Sequence, residues 1–533
     1  MSTVYPSSCA TFVTRFKFCG EPAHNTMPPP MDASFEVLTG RPTNPRCPGR
    51  IGNSHFADPG GQSLNDALQS FGGRLPMNSQ CRLGSKMKRF WVVGWQVIVC
   101  GVFAGVTTAR AEAPPLPTVL PSHERPAVEN RILIDRLQHL LPRLMAETHL
   151  DMWLVINREY AEDPVYFTLV PQPTYAARRT TMLVFHRRAD GTVERLAVNR
   201  YPLGEPYASA WSGGDLDAQW KALAEVIVAR NPARIGVNVS GTWPVADGLS
   251  ASLRERLQSV LPADYAKRLV SSESLVVRWF ETRSDDEAKL YPLLGRLTRG
   301  VIAEAFSDRV ITPGKTTTQD VAWYIRERFE HLGLRPWFMP TVDRQHHGER
   351  CADAVPHCGE DGVIVRGDVL HTDVGFCYLK LCTDVQEMGY VLNVGESELP
   401  KGLSAALKVG NHWQDLLAAQ FQTARSGNEI LKATAAASAS AGIQSWTYSH
   451  PLGYVGHAPG PTIGMWDNQG PTRGQGDWPL YPNTTYAIEG SVRVALAEWG
   501  GEPLQIMLEQ DGYYDGMALS FPGGRQTEWH LIR

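Results

Sequence analysis

The sequence predicts a C-terminal α+β domain preceded by a smaller α/β domain. The chain has 533 residues, which is more than one ordinary hydrophobic core supports. Helix-like and strand-like segments alternate from Glu124 to about Leu275, as is typical of α/β domains. After Glu281 helical segments come first and strand-like segments follow, as is typical of α+β domains. We therefore expect an α/β domain over 112–276 and an α+β domain over 281–533.

The composition narrows the classes of function. Hydrophobic residues make up 43% of the chain and charged residues 20%, which is typical of a globular protein. The formal net charge is -4 and no long basic run occurs, so nucleic acid is not expected as a partner. Neither a P-loop nor a Rossmann glycine pattern is present in the sequence.

Residues 87–111 have the three parts of a secretory signal. Basic residues precede an apolar stretch at 90–106, and the small-residue pattern A-R-A follows at 109–111. We expect a secreted or periplasmic protein, with no stable membrane association after cleavage. Residues 1–86, rich in Pro, Gly and Ser, are then a non-native or disordered upstream extension. The alternative is an internal membrane anchor, for which this apolar stretch is short.

Four cysteines remain after the predicted cleavage site. They show no C-x-x-C spacing, so a structural zinc site is not expected. Because thiols outside the cytoplasm can stay oxidised, a disulfide can join Cys377 to Cys382, or Cys351 to Cys358. The sequence leaves this connectivity open.

The N-terminal α/β segment carries no group of residues of catalytic type. The stretch "RILIDRLQHLLPRLMAETHL" has apolar residues at helical spacing, and "DMWLVIN" and "TTMLVFHR" have the composition of strands. His149 and His186 stand alone, and an isolated histidine is more often structural than a ligand.

The second segment begins with helices. One long amphipathic helix is predicted through "DDEAKLYPLLGRLTRGVIAEAFSD". Another follows the Pro313-Gly314 turn and is capped by Thr317 or Thr318. The apolar face of this second helix consists of Val321, Tyr324, Ile325 and Phe329.

Two acidic residues lie within the strand-like run "HTDVGFCYLKLCTD". If the chain reverses near Tyr378 and Leu379, antiparallel pairing sets Asp373 opposite Asp384 on one face of the sheet. Two carboxylates directly opposite each other repel, so the pKa of one of them would be raised. We therefore expect a cation between them, either a basic side chain or a metal ion.

Further ligand-type residues follow downstream. His450 and His457 lie in "SHPLGYVGH", and Glu489 and Glu509 lie among apolar residues of strand-like runs. Buried carboxylates are costly when unpaired, so this set favours bound ions over a buried salt-bridge network, the alternative interpretation. Mostly oxygen ligation suits two divalent ions.

These residues resemble the metal motif of the pita-bread (creatinase/aminopeptidase-like) metallopeptidases. That motif is D-x-G, a second Asp eleven residues after the first, and then His, Glu and Glu on successive strands. Asp373-Val374-Gly375 and Asp384 fit it. The preceding domain is similar to the creatinase-type N-terminal domain of the Xaa-Pro branch, which includes prolidase (Xaa-Pro dipeptidase) and aminopeptidase P.

The resemblance also implies roles for the histidines. The Xaa-Pro branch has S-H-x-L-G with a second His seven positions after the first, which Ser449–Gly453 and His457 reproduce. This makes His450 the metal ligand and His457 a substrate-side catalytic histidine; the reverse assignment is the alternative. A third family histidine corresponds to His357, with His346 and His347 as neighbouring alternatives.

By the same resemblance, Asp384 and Glu509 bridge two ions, Asp373 binds one, and His450 and Glu489 bind the other. A bridging hydroxide attacks the scissile carbonyl, Glu489 accepts and passes on the proton, and His357 and His457 stabilise the oxyanion. The implied activity is a binuclear Xaa-Pro metallopeptidase acting on small peptides. Manganese is the first expectation for the metal, with cobalt, zinc or iron as alternatives, and the family plan favours a homodimer.

Several positions depart from the family pattern. Gln386-Glu387 stands where T-R is usual, Lys380-Leu381 replaces a Gly-Tyr pair, and Gly490 and Met507 replace a Pro and an Arg. None is a metal ligand, but substrate recognition can differ. The alternative functions are therefore a creatinase-like hydrolase of a non-peptide C–N bond and a non-catalytic pita-bread binding module.

Overall fold

The computed structural model describes residues 115–348 and 362–533. The predicted upstream extension and signal segment, together with Cys351, His357 and Cys358, lie outside these ranges. Among the described residues, no helix is both long enough and apolar enough to cross a bilayer.

The N-terminal domain is built on a six-stranded mixed sheet. Its strands are β1 (Met152–Arg158), β2 (Thr180–Arg187), β3 (Val193–Asn199), β4 (Ala208–Ser209), β5 (Ile235–Val237) and β6 (Leu269–Ser271). The spatial order is β4-β3-β2-β1-β5-β6, with β1, β2 and β3 antiparallel and the other neighbours parallel. Strands β1 and β2 confirm the two strands predicted in this region.

Helices cover both faces of this sheet. They are α1 (Arg125–Asp135), α2 (Leu141–Glu147), α3 (Tyr166–Leu169), α4 (Leu216–Arg230), α5 (Ala251–Val260), α6 (Ala263–Ala266) and α7 (Glu273–Glu281). Along β1, Trp153 and Val155 enter the hydrophobic core beneath α1, α2 and α7, whereas Leu154 and Ile156 enter the core beneath α4 and α5. This alternation follows from the two-residue repeat of a strand.

The C-terminal domain contains a larger, mainly antiparallel sheet. Its strands are β8 (Thr341–Gln345), β9 (Val369–Val374), β12 (Val385–Val391), β13 (Gln444–Thr447), β14 (His450–Leu452), β15 (Thr484–Ala495), β16 (Pro503–Tyr514), β17 (Leu519–Ser520) and β18 (His530–Ile532). The main order is β13-β15-β16-β12-β9-β8, with β14 paired to β15, β17 to β16 and β18 to β12. A separate small sheet consists of three strands, β7 (Arg335–Pro336), β10 (Phe376–Tyr378) and β11 (Leu381–Cys382).

The helices of this domain correct one prediction. They are α8 (Asp285–Ala288), α9 (Tyr291–Ala305), α10 (Thr318–His331), α11 (Lys401–Ala418) and α12 (Gly427–Ser440). The single long helix predicted through this region is wrong, because it breaks before Pro292, which lies in the first turn of α9. Proline lacks the N–H that a continuing helix needs, but it suits a helix start. The predicted cap at Thr317 is confirmed, since its hydroxyl accepts from the Asp320 N–H at 3.1 Å.

The hairpin between the two aspartates turns at Leu379 and Lys380. Both residues have positive φ, 51° and 66°, which is the mark of a type I′ turn. Cys377 lies opposite Cys382, and the two form a disulfide. The Lys380 Nζ donates to the carbonyl oxygen of Phe167 at 2.8 Å, so the tip of this hairpin is attached to the N-terminal domain.

The predicted pairing of Asp373 with Asp384 is wrong by two positions. The chain reverses one residue later than expected, and Asp373 lies opposite Gln386. Because the partner moves by two residues, both aspartates stay on the same face of the sheet. They are diagonal neighbours rather than a direct cross-strand pair.

Arg136 joins the two domains through a buried ion pair. It lies in the π-helical turn Arg136–Leu140, and its side chain is fully buried. Its guanidinium donates to the Glu287 carboxylate at 2.6 Å and to the carbonyl oxygen of Thr282 at 2.7 Å. Removing one member of a buried pair leaves the other charge uncompensated.

We therefore expect Arg136→Met to lower the free energy of unfolding by about 3–5 kcal/mol, measured by urea-induced unfolding. Glu287 keeps a second partner, the fully buried Arg283 at 3.6 Å, so the double variant Arg136→Met/Glu287→Gln strands Arg283 and should lose more. A double variant more stable than Arg136→Met would contradict this account.

Candidate metal centre

Four polar side chains form one row across the large sheet. Asp373 on β9 lies opposite Gln386 on β12, which lies opposite Glu509 on β16, which lies opposite Glu489 on β15. Directly opposed residues of antiparallel strands share a face. The strand register therefore brings together three carboxylates that are up to 136 residues apart in the sequence.

A second row brings in the histidine. His450 on β14 lies opposite Ala487 on β15, and Ala487 lies opposite Asp511 on β16. The Asp511 carboxylate accepts from the backbone N–H of Asp384 at 3.1 Å. The side chains of Asp384 and His450 thus lie close together beside the first row. The small Ala487 lies between His450 and Asp511 in the second row.

The Nε2 atom of His450 faces three carboxylates. It lies 3.7 Å from Asp384 Oδ2, 3.8 Å from Glu489 Oε2 and 3.9 Å from Glu509 Oε1. These separations are too long for hydrogen bonds, and His450 Nε2 has no hydrogen-bond partner among the described residues. Ligand atoms of Asp373, Asp384 and Glu509, and of His450, Glu489 and Glu509, converge within 4.8 Å of one another. Two overlapping sets of nitrogen and oxygen donors around one space fit divalent ions.

The electrostatics of the group also favour a bound cation. Burial raises the pKa of the Asp384, Glu489 and Glu509 carboxyls well above their usual range, and the neighbouring carboxylates raise them further. Burial, followed by the nearby His457, lowers the pKa of His450 to about 3. The imidazole is therefore neutral, as a metal ligand must be, and supplies no positive charge to the carboxylates.

The four clustered carboxylates line a cavity of about 420 Å³ with aromatic walls. The walls are formed by Trp337, Phe338, Tyr448 and Trp466. His457 also lines the cavity; its ring centroid is 4.6 Å from that of His450 and 5.2 Å from that of Trp337.

The packing of Trp337 in this wall explains why the third residue of the D-x-G motif is a glycine. A Cβ built on Gly375 would lie 2.2 Å from Trp337 Nε1, and one built on Gly456 would lie 2.2 Å from the same indole ring. The indole N–H donates to the carbonyl oxygen of Thr383 at 2.9 Å. The two glycines thus let the tryptophan pack directly against the backbone that carries the aspartates.

The described structure brings together six of the seven site residues predicted from the sequence. They are Asp373, Asp384, His450, His457, Glu489 and Glu509. The seventh, His357, lies outside the described residues. Its two alternatives contact other groups: His346 Nδ1 is 2.7 Å from Asp368 Oδ1, and His347 stacks on Trp499.

The departures from the family motif have local explanations. Glu387 points away from the metal centre and contacts Arg299 at 2.5 Å and His530 at 2.6 Å. Gly490 lies against Trp413, where a Cβ would clash at 2.4 Å. Met507 is buried in the hydrophobic core beneath α11.

Gln386 is the main site residue that sequence reasoning missed. Its amide donates to Glu489 Oε1 at 2.8 Å and to Glu509 Oε2 at 2.9 Å. A glutamine carries no metal-ligand signal in the sequence. Only the register of β12 between β9 and β16 shows that it lies among the carboxylates.

Solved structures with the same fold are found among peptidases. The X-Pro aminopeptidase from Thermotoga maritima MSB8 has a TM-score of 0.53 at 16% identity, covering 73% of this chain and 100% of that chain. The Xaa-Pro dipeptidase from Bacillus anthracis has a TM-score of 0.52 at 14% identity, covering 75% and 100%. A dipeptidase from Pyrococcus horikoshii OT3 has a TM-score of 0.50 at 17% identity, covering 75% and 100%. At these identities the likeness shows the fold.

One curated protein shares a short stretch of sequence. The calcium/calmodulin-dependent serine/threonine-protein kinase 1 of Oryza sativa subsp. japonica is 30% identical over 93 residues. The match spans 17% of this chain and 15% of the kinase, which is too little of either to indicate a shared activity.

The family model for metallopeptidase family M24 matches residues 293–514. This range contains β9, β14, β15 and β16, which carry Asp373, His450, Glu489 and Glu509, and it contains Asp384, which directly precedes β12. The α+β fold, the converging donors and the matched range agree: residues 293–514 of this chain form a domain of metallopeptidase family M24, the pita-bread metallopeptidases.

Proposed function

We propose that this chain is a binuclear metal-dependent peptidase that hydrolyses Xaa-Pro or related bonds in small peptides. The observation that carries the proposal is the convergence of five ligand-type side chains, four of which line one cavity. Solved structures named as X-Pro aminopeptidase and Xaa-Pro dipeptidase share the fold and support the substrate class.

In this proposal Asp373, Asp384, His450, Glu489 and Glu509 hold the ions. When bound, two divalent ions supply a nucleophile from water at neutral pH and polarise a carbonyl. Manganese is the first candidate, because oxygen donors predominate over the single imidazole.

The remaining polar groups act on the substrate. His457 lies beside the ligand cluster on the cavity wall, where an N–H can donate to the carbonyl oxygen as charge develops on it. Its Nε2 is 3.5 Å from the Tyr448 hydroxyl, which also lines the cavity. Glu489 is the proposed proton acceptor, because its side chain is 18% exposed whereas that of Glu509 is 1% exposed.

The test is metal content followed by a substrate panel. The full chain is stripped with a chelator, reloaded with Mn, Co or Zn, and assayed on Xaa-Pro dipeptides, longer Xaa-Pro peptides and creatine. Cleavage of the Xaa-Pro bond supports the proposal. Hydrolysis of creatine alone would make the chain a creatinase-like hydrolase, and failure to bind metal would overturn the proposal altogether.

Trp466 is proposed to contact the substrate side chain at the cavity mouth. It is 54% exposed and lies in a tight turn where Met465 pairs with Asn468. Partial burial of a large apolar group contributes about 1 kcal/mol. We expect Trp466→Ala to raise KM about fivefold for Phe-Pro or Leu-Pro substrates and to leave Gly-Pro nearly unchanged.

The matched control is Trp323→Ala, because Trp323 is 48% exposed on α10 and lies over Arg326 instead of lining the cavity. Steady-state kinetics with each substrate measures the effect. Equal losses on Phe-Pro and Gly-Pro would contradict a side-chain contact.

Export remains part of the proposal. The signal pattern at 87–111 is the motivating feature, and the Cys377–Cys382 disulfide supports it because such bonds persist in oxidising compartments. N-terminal sequencing of the protein recovered from its native compartment tests the cleavage site; an intact 87–111 segment would exclude it.

A further inference from the structure

The polar row of the metal centre contains one residue that cannot bind a divalent ion as a carboxylate does. Gln386 lies in the middle of that row, directly opposite both Asp373 and Glu509, and is 6% exposed.

Both N–H groups and the oxygen of the Gln386 side-chain amide have hydrogen-bond partners. Its two N–H groups donate to Glu489 Oε1 and Glu509 Oε2, at 2.8 and 2.9 Å. Its oxygen lies 2.9 Å from His371 Nε2. Because carboxylates only accept hydrogen bonds, they fix the amide with its nitrogen toward the glutamates.

Each glutamate thereby has one oxygen hydrogen-bonded to the amide and one oxygen without that bond. The oxygens that Gln386 does not contact, Glu489 Oε2 and Glu509 Oε1, are the two that face His450 Nε2. Without the amide, each carboxylate could rotate about its terminal bond, and the two oxygens would no longer be distinguished.

His371 and Asp343 hold the amide in turn. They lie opposite each other on β9 and β8 and are 2% and 1% exposed. His371 Nδ1 is 3.0 Å from Asp343 Oδ2, so the ring is fixed at both nitrogens between a carboxylate and the Gln386 oxygen. A contact made by a fully buried chain of side chains has little freedom to reorient.

We propose that Gln386, held by His371 and Asp343, is a positioning residue that orients Glu489 and Glu509 for metal binding. This inference rests on the proposed metal centre. It assigns His371 an indirect role, through Gln386, although His371 also lines the cavity.

The test measures metal affinity rather than turnover. Mn²⁺ is titrated calorimetrically into the stripped full-length chain, and the visible absorption of the Co²⁺-loaded chain reports the ligand geometry. Groups that orient metal ligands typically contribute 10- to 100-fold in affinity. We expect Gln386→Met to weaken Mn²⁺ binding within that range and to alter the Co²⁺ spectrum.

A buried glutamine in the N-terminal domain provides the matched control. Gln219 is 4% exposed and donates to the carbonyl oxygens of Thr180 and Val198. Gln219→Met removes a similar pair of hydrogen bonds and should lower the unfolding temperature without changing metal affinity or the Co²⁺ spectrum.

A double-mutant cycle tests the chain of contacts. His371→Leu should weaken Mn²⁺ binding about tenfold in the Gln386 chain and cause no further loss in the Gln386→Met chain. Equal losses in both backgrounds would show that His371 acts independently of Gln386 and would overturn the proposal. So would wild-type affinity in Gln386→Met. His371→Leu alone still tests the contact if Gln386→Met does not fold. Failure of the unaltered chain to bind metal would instead reject the proposed function.

Discussion

Asp384→Asn is expected to abolish metal binding and turnover while making the metal-free chain more stable. The side chain is 4% exposed and faces both His450 and the other carboxylates, so its loss removes a ligand from the centre of the cluster. We expect metal affinity to fall by more than about 100-fold, since even groups outside the ligand set contribute up to that much.

The gain in stability has a separate cause. Burial and the nearby Asp373 raise the pKa of Asp384 above its unfolded value, so the carboxyl destabilises the metal-free fold above about pH 4. Asparagine removes that cost, and each unit of pKa shift corresponds to about 1.4 kcal/mol. Urea-induced unfolding at pH 7 and pH 4 should show a gain at the higher pH that disappears at the lower one.

Asp511→Asn is the control for this experiment. Asp511 is 2% exposed, and burial raises the pKa of its carboxyl to about 8, but it belongs to none of the converging donor sets. This variant should also stabilise the metal-free chain at neutral pH. Because the replacing amide oxygen can still accept from the Asp384 N–H, metal binding should stay far closer to that of the unaltered protein than in Asp384→Asn. An Asp384→Asn chain that retained metal and full turnover would reject the ligand assignment.

His450→Ala and His457→Ala should separate metal binding from turnover. His450 is 4% exposed and directs Nε2 at three carboxylates, so its loss should remove at least one ion. His457 is exposed at the cavity and should leave the metal content unchanged while turnover falls about 100- to 1,000-fold, as when an oxyanion donor is removed.

Metal analysis of the two purified variants, followed by kinetics at saturating metal, distinguishes these roles. Both histidines have a ligand atom within reach of Asp384, which makes the comparison necessary. Metal loss from His457→Ala with metal retained in His450→Ala would reverse the assignment.

Much of this centre could be predicted because carboxylates are rare inside strands. Glu489 and Glu509 lie among apolar residues, and the spacing of Asp373 and Asp384 keeps both on one face. When a hairpin turn shifts by one residue, every cross-strand partner moves by two residues, so the predicted face of the sheet was still correct. The predicted direct pairing of the aspartates was wrong, because Leu379 and Lys380 lack the Asn or Gly that usually marks a type I′ turn.

Other features depend on information that local pattern does not carry. Gln386, His371 and Asp343 come from three strands whose mutual register was not predictable from any one of them. Pro292 indicates a helix start at α9. A single helix was nevertheless predicted, because the amphipathic pattern is strong on both sides of this proline.

The tip of the hairpin links the sheet that carries the aspartates to the N-terminal domain. Lys380 stands where relatives commonly carry glycine, and a left-handed backbone there costs a non-glycine residue about 1–2 kcal/mol. Its ammonium group nevertheless reaches the Phe167 and Val170 carbonyl oxygens at 2.8 and 3.4 Å. The lysine at the tip therefore attaches the hairpin that carries the aspartates to the N-terminal domain, through a contact that is separate from the cavity lining.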